Sequence, residues 1–429
     1  MTKMNRRELL ANGLLAAGTL LPQSLLAQIL TAPSLLAELK SPPPDPLVFA
    51  DGRRVATAKQ WPLRRQEILK TAASQMYGTA PAKPPIRFEL LERDGRFFGG
   101  AAIRRQVRMH IDGPTGSAFV DILLYLPANR KRSPVVLGMN FWGNHTICND
   151  PEIRLSSSWI ESGKNPFIDL SGVLDHHATD ACRGIDAHRW PVESLIQRGY
   201  GLATFYRGDV DSDLPSGFGT SLRALFPALQ TQDDNFSTIG AWAWTLSRAL
   251  DYLQTDPAID AHRVAVFGWS RAGKAAVWAG ASDQRFAAVL SQESGAGGAK
   301  LFRRNLGEDI HRLNTLFPHW YCRNFRQYSG RDSELPFDQH LILSAIAPRP
   351  MHIASAIDDR LSDPPGEFLS AGLATPVYRF LGYPGLPAEQ MPPANSPLFG
   401  RISYHIRTGG HDVTDYDWQQ YMTFMDRNL

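Results

Sequence analysis

The residues best suited to chemistry lie in one stretch, Val264-Ala265-Val266-Phe267-Gly268-Trp269-Ser270-Arg271-Ala272-Gly273-Lys274-Ala275-Ala276. An apolar run enters a small-residue turn and leaves it in a helix-forming pattern. Strand, elbow and helix is the context in which a Gly-x-Ser-x-Gly pattern has meaning. The sharp turn stands the serine hydroxyl at the carboxyl end of a sheet, ready for acyl transfer. Gly268 and Ala272 let the flanking backbones approach, with Ala272 in place of the usual second glycine. The Arg271 amide and the N-terminus of the following helix would then face a developing oxyanion.

A serine nucleophile needs a base and an orienting carboxylate. In hydrolases of this architecture the chain order is serine, acid, histidine. His411 in Arg407-Thr408-Gly409-Gly410-His411-Asp412 fits the base, because paired glycines allow the loop to turn the imidazole toward the elbow. His405 is its rival, but lies in an apolar, strand-like stretch, residues 402–406. Two positions compete for the acid. Glu293 follows the apolar run 287–291, and Asp358 and Asp359 follow the run 351–356. Topology alone favours the later pair. A metal site at His145, His176, His177 and Asp180 has no recognised ligand spacing.

The elements that must position these groups are legible in the hydrophobic pattern. Residues 86–91, 102–111 and 118–125 read as antiparallel strands separated by turns at Arg93-Asp94-Gly95 and Asp112-Gly113-Pro114. Short continuous apolar runs follow at 134–141, 201–206, 263–268, 287–291 and 351–356, the signature of strands buried on both faces. Helical patterns lie at 60–76, 239–253 and 274–280. Such alternation predicts an α/β fold, a mostly parallel central sheet between helical layers with antiparallel strands at its N-terminal edge. Segments 143–195 and 300–345 are long and irregular, rich in His, Trp, Asn and Asp, as functional loops are.

Composition narrows the class. In 429 residues, 43% are hydrophobic and 20% charged, which excludes a disordered chain, a collagen-like fibre and a coiled coil. The net charge is +3, and Lys3, Arg6, Arg7 and Glu8 carry most of it, so nothing global points to nucleic acid or an anionic membrane. A basic head and a short apolar run, residues 9–21, read as a secretory signal, with Arg6-Arg7 in the manner of a twin-arginine signal. Residues 1–37 are therefore expected to be signal peptide and linker, and residues 38–429 one catalytic domain, periplasmic or secreted, monomeric, and off the membrane once the signal is removed. In an oxidising compartment Cys148 and Cys182 could pair, leaving Cys322 over.

A string of motifs then carries a resemblance. Gly268-Trp269-Ser270-Arg271-Ala272-Gly273-Lys274, Glu293-Ser294-Gly295-Ala296-Gly297-Gly298, Arg303-Arg304-Asn305 with Gly307-Glu308, Phe317-Pro318-His319-Trp320, Leu335-Pro336-Phe337-Asp338-Gln339-His340, Ala347-Pro348-Arg349-Pro350 and Gly410-His411 together resemble the bacterial glucuronoyl esterases of carbohydrate esterase family 15. The resemblance spans roughly residues 130–425. It implies an α/β-hydrolase fold and cleavage of esters between lignin alcohols and 4-O-methyl-glucuronic acid on glucuronoxylan.

The resemblance also implies roles. Glu293 has the family's serine-to-glutamate spacing and becomes the acid, with Asp359 as the auxiliary acid many bacterial members carry. Arg271 is implied as an oxyanion donor, and Lys274 and Glu308 as binders of sugar hydroxyls. No cofactor is called for, since serine, base and acid complete the acyl-transfer cycle. One departure stands out. Leu361 occupies a position where the family commonly has an aromatic, usually Trp; Trp142 is a candidate to compensate, whereas Trp320 is expected in the core. The rivals are an acetyl-xylan or general carboxylesterase of the same fold, and a non-catalytic carbohydrate-binding protein.

Overall fold

In the computed structural model, which describes residues 35–82, 84–304 and 306–429, the apolar runs become one sheet. Its strands are β1 (Ile86–Phe97), β2 (Ala102–Gly113), β3 (Gly116–Pro127), β4 (Ser133–Asn140), β7 (Gly201–Tyr206), β8 (Ile259–Trp269), β9 (Ala288–Gln292), β10 (Met351–Ala356) and β11 (Ile402–Arg407). A separate hairpin, β5 (Gly163–Asn165) and β6 (Ile168–Leu170), sits in the long loop after β4. The sheet order is β1-β2-β3-β7-β4-β8-β9-β10-β11. Pairings from β1 to β7 are antiparallel and those from β7 to β11 parallel. This is the α/β-hydrolase arrangement expected from the sequence, with helices on both faces. The expected targeting segment lies outside the described residues except for its last three positions.

Strands β4, β7, β9, β10 and β11 are buried throughout their length, and β8 from Val264 onward, which is why their apolar runs are continuous rather than alternating. Val264, Val266 and Phe267 of β8 are buried, each contributing about 1.5–3 kcal/mol of hydrophobic stabilisation. The main helices are α1 (Trp61–Ala72), α2 (Thr238–Leu253), α3 (Arg271–Ser282), α4 (Pro364–Phe380) and α5 (Asp415–Asn428). Ser237 caps α2, its hydroxyl accepting from Gly240 N at 3.0 Å. Small residues let α3 lie close on the sheet: a Cβ on Gly280 would stand 2.2 Å from Val289 Cγ2.

Two expectations are corrected. Arg93-Asp94-Gly95 is not the turn between the first strands. β1 runs on to Phe97 through two register shifts, and Gly95 faces Arg104 in the ladder. The Arg104–Glu92 ion pair crowds over Gly95, where a Cβ would meet Glu92 Oε1 at 2.3 Å, so the glycine serves a bulge. Cys148 and Cys182 do not pair; both are buried free thiols, as is Cys322. Cys182 Sγ faces Gly172, whereas Cys148 lies beside Tyr125 and Asp150.

Candidate active site

β8, β9, β10 and β11 are successive neighbours in the sheet and run parallel. Ser270, Glu293, Asp359 and His411 each follow the carboxyl end of one of them. The sheet therefore gathers at one edge four residues spread over some 140 positions of sequence.

Ser270 sits at φ 56°, ψ −128°, a strained backbone for a side chain other than glycine. The turn is held by Ser270 N donating to Gln292 O (2.9 Å) and Lys274 N to Ser270 O (3.1 Å). A Cβ on Gly268 would come within 2.1 Å of Ala272 O, so glycine is required there. The opposite side of the elbow accepts the Ala272 methyl, buried as it is. α3 starts at Arg271, and the first amides of a helix have no acceptor within it, so its positive end faces the serine.

His411 packs its ring on Trp269, beside the serine, with centroids 5.1 Å apart, and on Phe167 at 5.7 Å. Its Nδ1 meets two carboxylates: Asp359 Oδ2 at 2.7 Å and Glu293 Oε2 at 3.1 Å. Burial alone would disfavour the imidazolium, but Asp359 and Glu293 reverse the balance and raise His411 to about 10. The two acids differ. Burial pushes Glu293 up to about 7 against the pull of His411 and Arg407. Asp359 is lowered, because His411 and the Ser362 bonds outweigh its burial. Glu293 also accepts from Gln292 Nε2 (3.0 Å), Arg407 Nη2 (2.8 Å) and Asp412 N (2.8 Å). His405, the rival base, is buried within β11 and bonds Asp417 Oδ1 at 2.9 Å.

Arg271 is held by Asp213, with Trp320 under the guanidinium at 5.0 Å and Phe317 at 5.5 Å. Asp213 also accepts from Trp320 Nε1 (2.7 Å) and meets His319 Nε2 (3.0 Å) and Arg207 Nη1 (3.0 Å). Burial alone would raise its carboxyl, but Arg271 and Arg207 hold it well below the usual range. Trp320 is buried and stacks on Phe317 as expected of a core residue, while also anchoring this cluster. Sequence reading missed Asp213; its signal was the acidic alternation Asp209, Asp211, Asp213 just past the buried strand β7.

Lys274 and Glu308 meet at 2.7 Å. Lys274 is buried, and its other two N–H groups go to Ser294 O (2.9 Å) and Ala296 O (2.7 Å). All three donors are thus engaged, and Glu308 is the more exposed member of the pair. Gly295 makes room for them, since a Cβ there would stand 2.9 Å from Glu308 Oε2. Leu361 O accepts from Glu308 N at 3.0 Å, and the Leu361 side chain is 37% exposed beside it. Trp142 cannot offer a sugar-facing surface in its place: it is buried, with the Arg189 guanidinium 5.7 Å away.

Buried Glu367, overlooked in the sequence, secures the loop after β9 by accepting from Gly295 N (2.9 Å) and Ser355 Oγ (2.6 Å). Among the described residues, the His, Cys, Asp and Glu groups close enough to share an ion are Glu293, Asp359 and His411 themselves. His145, His176, His177 and Asp180 do not come together in that way.

The chain is similar to known proteins over most of its length. A family model described as "Glucuronyl esterase, fungi" matches residues 188–382. A carbohydrate esterase from an unknown prokaryotic organism is 44% identical over 390 residues, 90% of this chain and 89% of that protein. Among solved structures, a promiscuous family 15 esterase from a marine bacterial metagenome superposes with a TM-score of 0.85 at 44% identity, covering 92% of this chain and 98% of that one. A glucuronoyl esterase from Solibacter usitatus superposes with a TM-score of 0.84 at 41% identity, covering 92% and 100%.

Proposed function

The chain belongs to carbohydrate esterase family 15, the glucuronoyl esterases, and on that premise we propose that it is a serine esterase hydrolysing esters of (4-O-methyl-)glucuronic acid, as in lignin–glucuronoxylan linkages. The observation that carries the reading is the convergence of Ser270, His411 and two carboxylates at the ends of four adjacent strands, next to a Lys–Glu pair suited to sugar hydroxyls.

Ser270 Oγ attacks the ester carbonyl while His411 takes its proton. His411 then gives that proton to the departing alcohol, and water repeats the cycle on the acyl-enzyme. Glu293 and Asp359 fix the imidazole by Nδ1 and stabilise its charged form. The Arg271 guanidinium and the first amides of α3 stabilise the oxyanion. Glu308, held by Lys274, receives sugar hydroxyls, and Leu361 lies along the sugar's edge. The substrate's only charge would be lost on esterification, so hydrogen bonds rather than ion pairing must orient the sugar.

The basic head and apolar run within residues 1–27 support export, through the twin-arginine route, to the periplasm or beyond. Among the described residues no helix is long and apolar enough to cross a membrane. A broader carboxylesterase is the second reading, favoured by Leu361 where an aromatic was expected.

Kinetics on glucuronate, galacturonate and acetyl esters separate the two. The proposal expects glucuronate esters to be cleaved fastest, Ser270→Ala to lose several orders of magnitude in turnover while staying folded, and Leu361→Trp to lower KM for glucuronate. Faster acetyl cleavage, with Lys274 and Glu308 replaceable at no cost, leaves the broader reading standing.

A further inference from the structure

Arg407, the residue that heads the Thr408–Asp412 motif, ends β11, and its buried guanidinium turns back into the loop that follows. Nη1 donates to Thr408 O at 3.1 Å and Nη2 to Asp412 O at 2.6 Å, so the cation touches both ends of the loop that carries His411. Nη2 also donates to Glu293 Oε1 at 2.8 Å, and Nε to Asp417 Oδ2 at 2.8 Å in the first turn of α5. Asp412 N returns a bond to Glu293 Oε2 at 2.8 Å. Between these anchors lie Gly409, at φ 97°, and Gly410, whose backbones have little shape of their own. The loop's shape has to be imposed, and Arg407 is the group placed to impose it.

The chemistry gives a second reason for a cation here. Acyl transfer needs no positive charge behind the acid, and such a charge weakens the acid's pull on the imidazole. Yet two carboxylates share one imidazole Nδ1, and a buried carboxylate beside another tends to take up a proton. A protonated Glu293 would leave His411 to Asp359 alone. We propose that Arg407 is a positioning residue of the acid–base machinery, keeping Glu293 ionised next to Asp359 and holding the loop so that His411 meets both carboxylates. Asp417 anchors Arg407 in turn, and is itself held by His405 Nε2 (2.9 Å) and by Thr414 N (2.7 Å). The charged or titratable groups around this pair are His411 and Asp359 on one side, Asp412 and Asp417 on the other, and Glu367 and Tyr421 within electrostatic range.

This inference rests on the esterase reading, and its test keeps the two apart. Arg407→Met and Arg407→Lys are made alone and with Asp359→Asn, and assayed on a methyl glucuronate ester, with thermal unfolding to confirm the fold. Arg407→Met is expected to lower kcat by about ten- to a hundredfold with KM little changed. Asp359→Asn should cost several times more in the Met background than in the wild type, although Arg407 and Asp359 share no bond. Arg407→Lys should recover part of the loss by returning charge to Glu293. Equal losses from Asp359→Asn in both backgrounds, or Lys no better than Met, overturn the proposal. Should Arg407→Met not fold, Asp417→Asn loosens the same anchor and must show the same coupling. If the wild type cleaves no ester, the esterase reading fails, and the clamp is read from the His411 imidazole by NMR. Its pKa must then fall in Arg407→Met, because Glu293, which touches the imidazole as the lost guanidinium does not, becomes neutral; an unmoved pKa rejects the clamp.

Discussion

Asp359 Oδ2 accepts the His411 Nδ1 proton at 2.7 Å, closer than Glu293 at 3.1 Å. The acid that the resemblance makes auxiliary thus has the shorter contact, while Glu293 has the firmer cage of donors. Glu293→Ala and Asp359→Ala should each leave residual turnover, and the double variant far less than the product of the two, since either carboxylate can still orient the imidazole. Steady-state kcat on one ester decides it. A silent Glu293→Ala beside an inactive Asp359→Ala reverses the assignment.

Arg271 should act on the rate. It meets negative charge on the substrate only as the oxyanion forms, so Arg271→Ala should lower kcat by about 10²–10³. Asp213→Asn should lower kcat too, with KM little changed, because the guanidinium loses its main anchor. In an Arg271→Ala background the same Asp213 change should add little. Independent, multiplying losses would mean that Asp213 serves only the fold.

Lys274 and Glu308 should separate binding from stability. Glu308→Gln should raise KM with kcat nearly unchanged, as for a group that holds ground and transition states alike. Lys274→Met breaks a largely buried pair and removes two further bonds to Ser294 and Ala296. It should cost about 3–5 kcal/mol of stability as well as raise KM. Calorimetry with kinetics checks this, and an unchanged melting temperature for Lys274→Met argues against the buried anchor.

Stability should fall toward alkaline pH. His411 is raised to about 10 from 6.5, so the stabilisation its charge provides is complete below pH 6.5 and lost as pH climbs through about 10. Glu293, raised to about 7 from 4.5, acts in the same sense at lower pH, since burial makes its ionisation costlier in the fold than in the unfolded chain even with Arg407 beside it. Tm measured from pH 5 to 10 should decline, and His411→Asn should flatten the upper part of that curve. A wild-type Tm constant across the range contradicts both shifts.

How far the sequence could be read depended on how local the signal was. Residues 201–206 and 351–356 are strands at the expected bounds, because strands buried on both faces leave unbroken apolar runs. The elbow was legible because its glycine, serine and alanine obey a steric rule within five residues. α4 was not: it starts Pro364-Pro365-Gly366 and carries Pro376 inside, so propensity argues against a helix that packing enforces. Asp213 and Arg407 were equally hidden, since each acts on a group far away in sequence and has no pattern of its own. Topology alone favoured the later pair, Asp358 and Asp359, yet Glu293 reaches the same imidazole as Asp359 because the two acids follow strands next to one another in the sheet.

Ser270, Glu293 and Asp213 all have φ near +50° to +60°, where side chains are sterically disfavoured. Three residues of the working site thus hold backbone shapes that glycine would adopt without cost. Fitness as a catalyst and fitness as a scaffold pull in opposite directions here, and the tension sits in the main chain rather than in buried charge. Replacing the nucleophile by glycine would disarm the enzyme and relax it at once. The inert protein should therefore be the sturdier one, a durable receptor for uronate esters that it no longer cleaves.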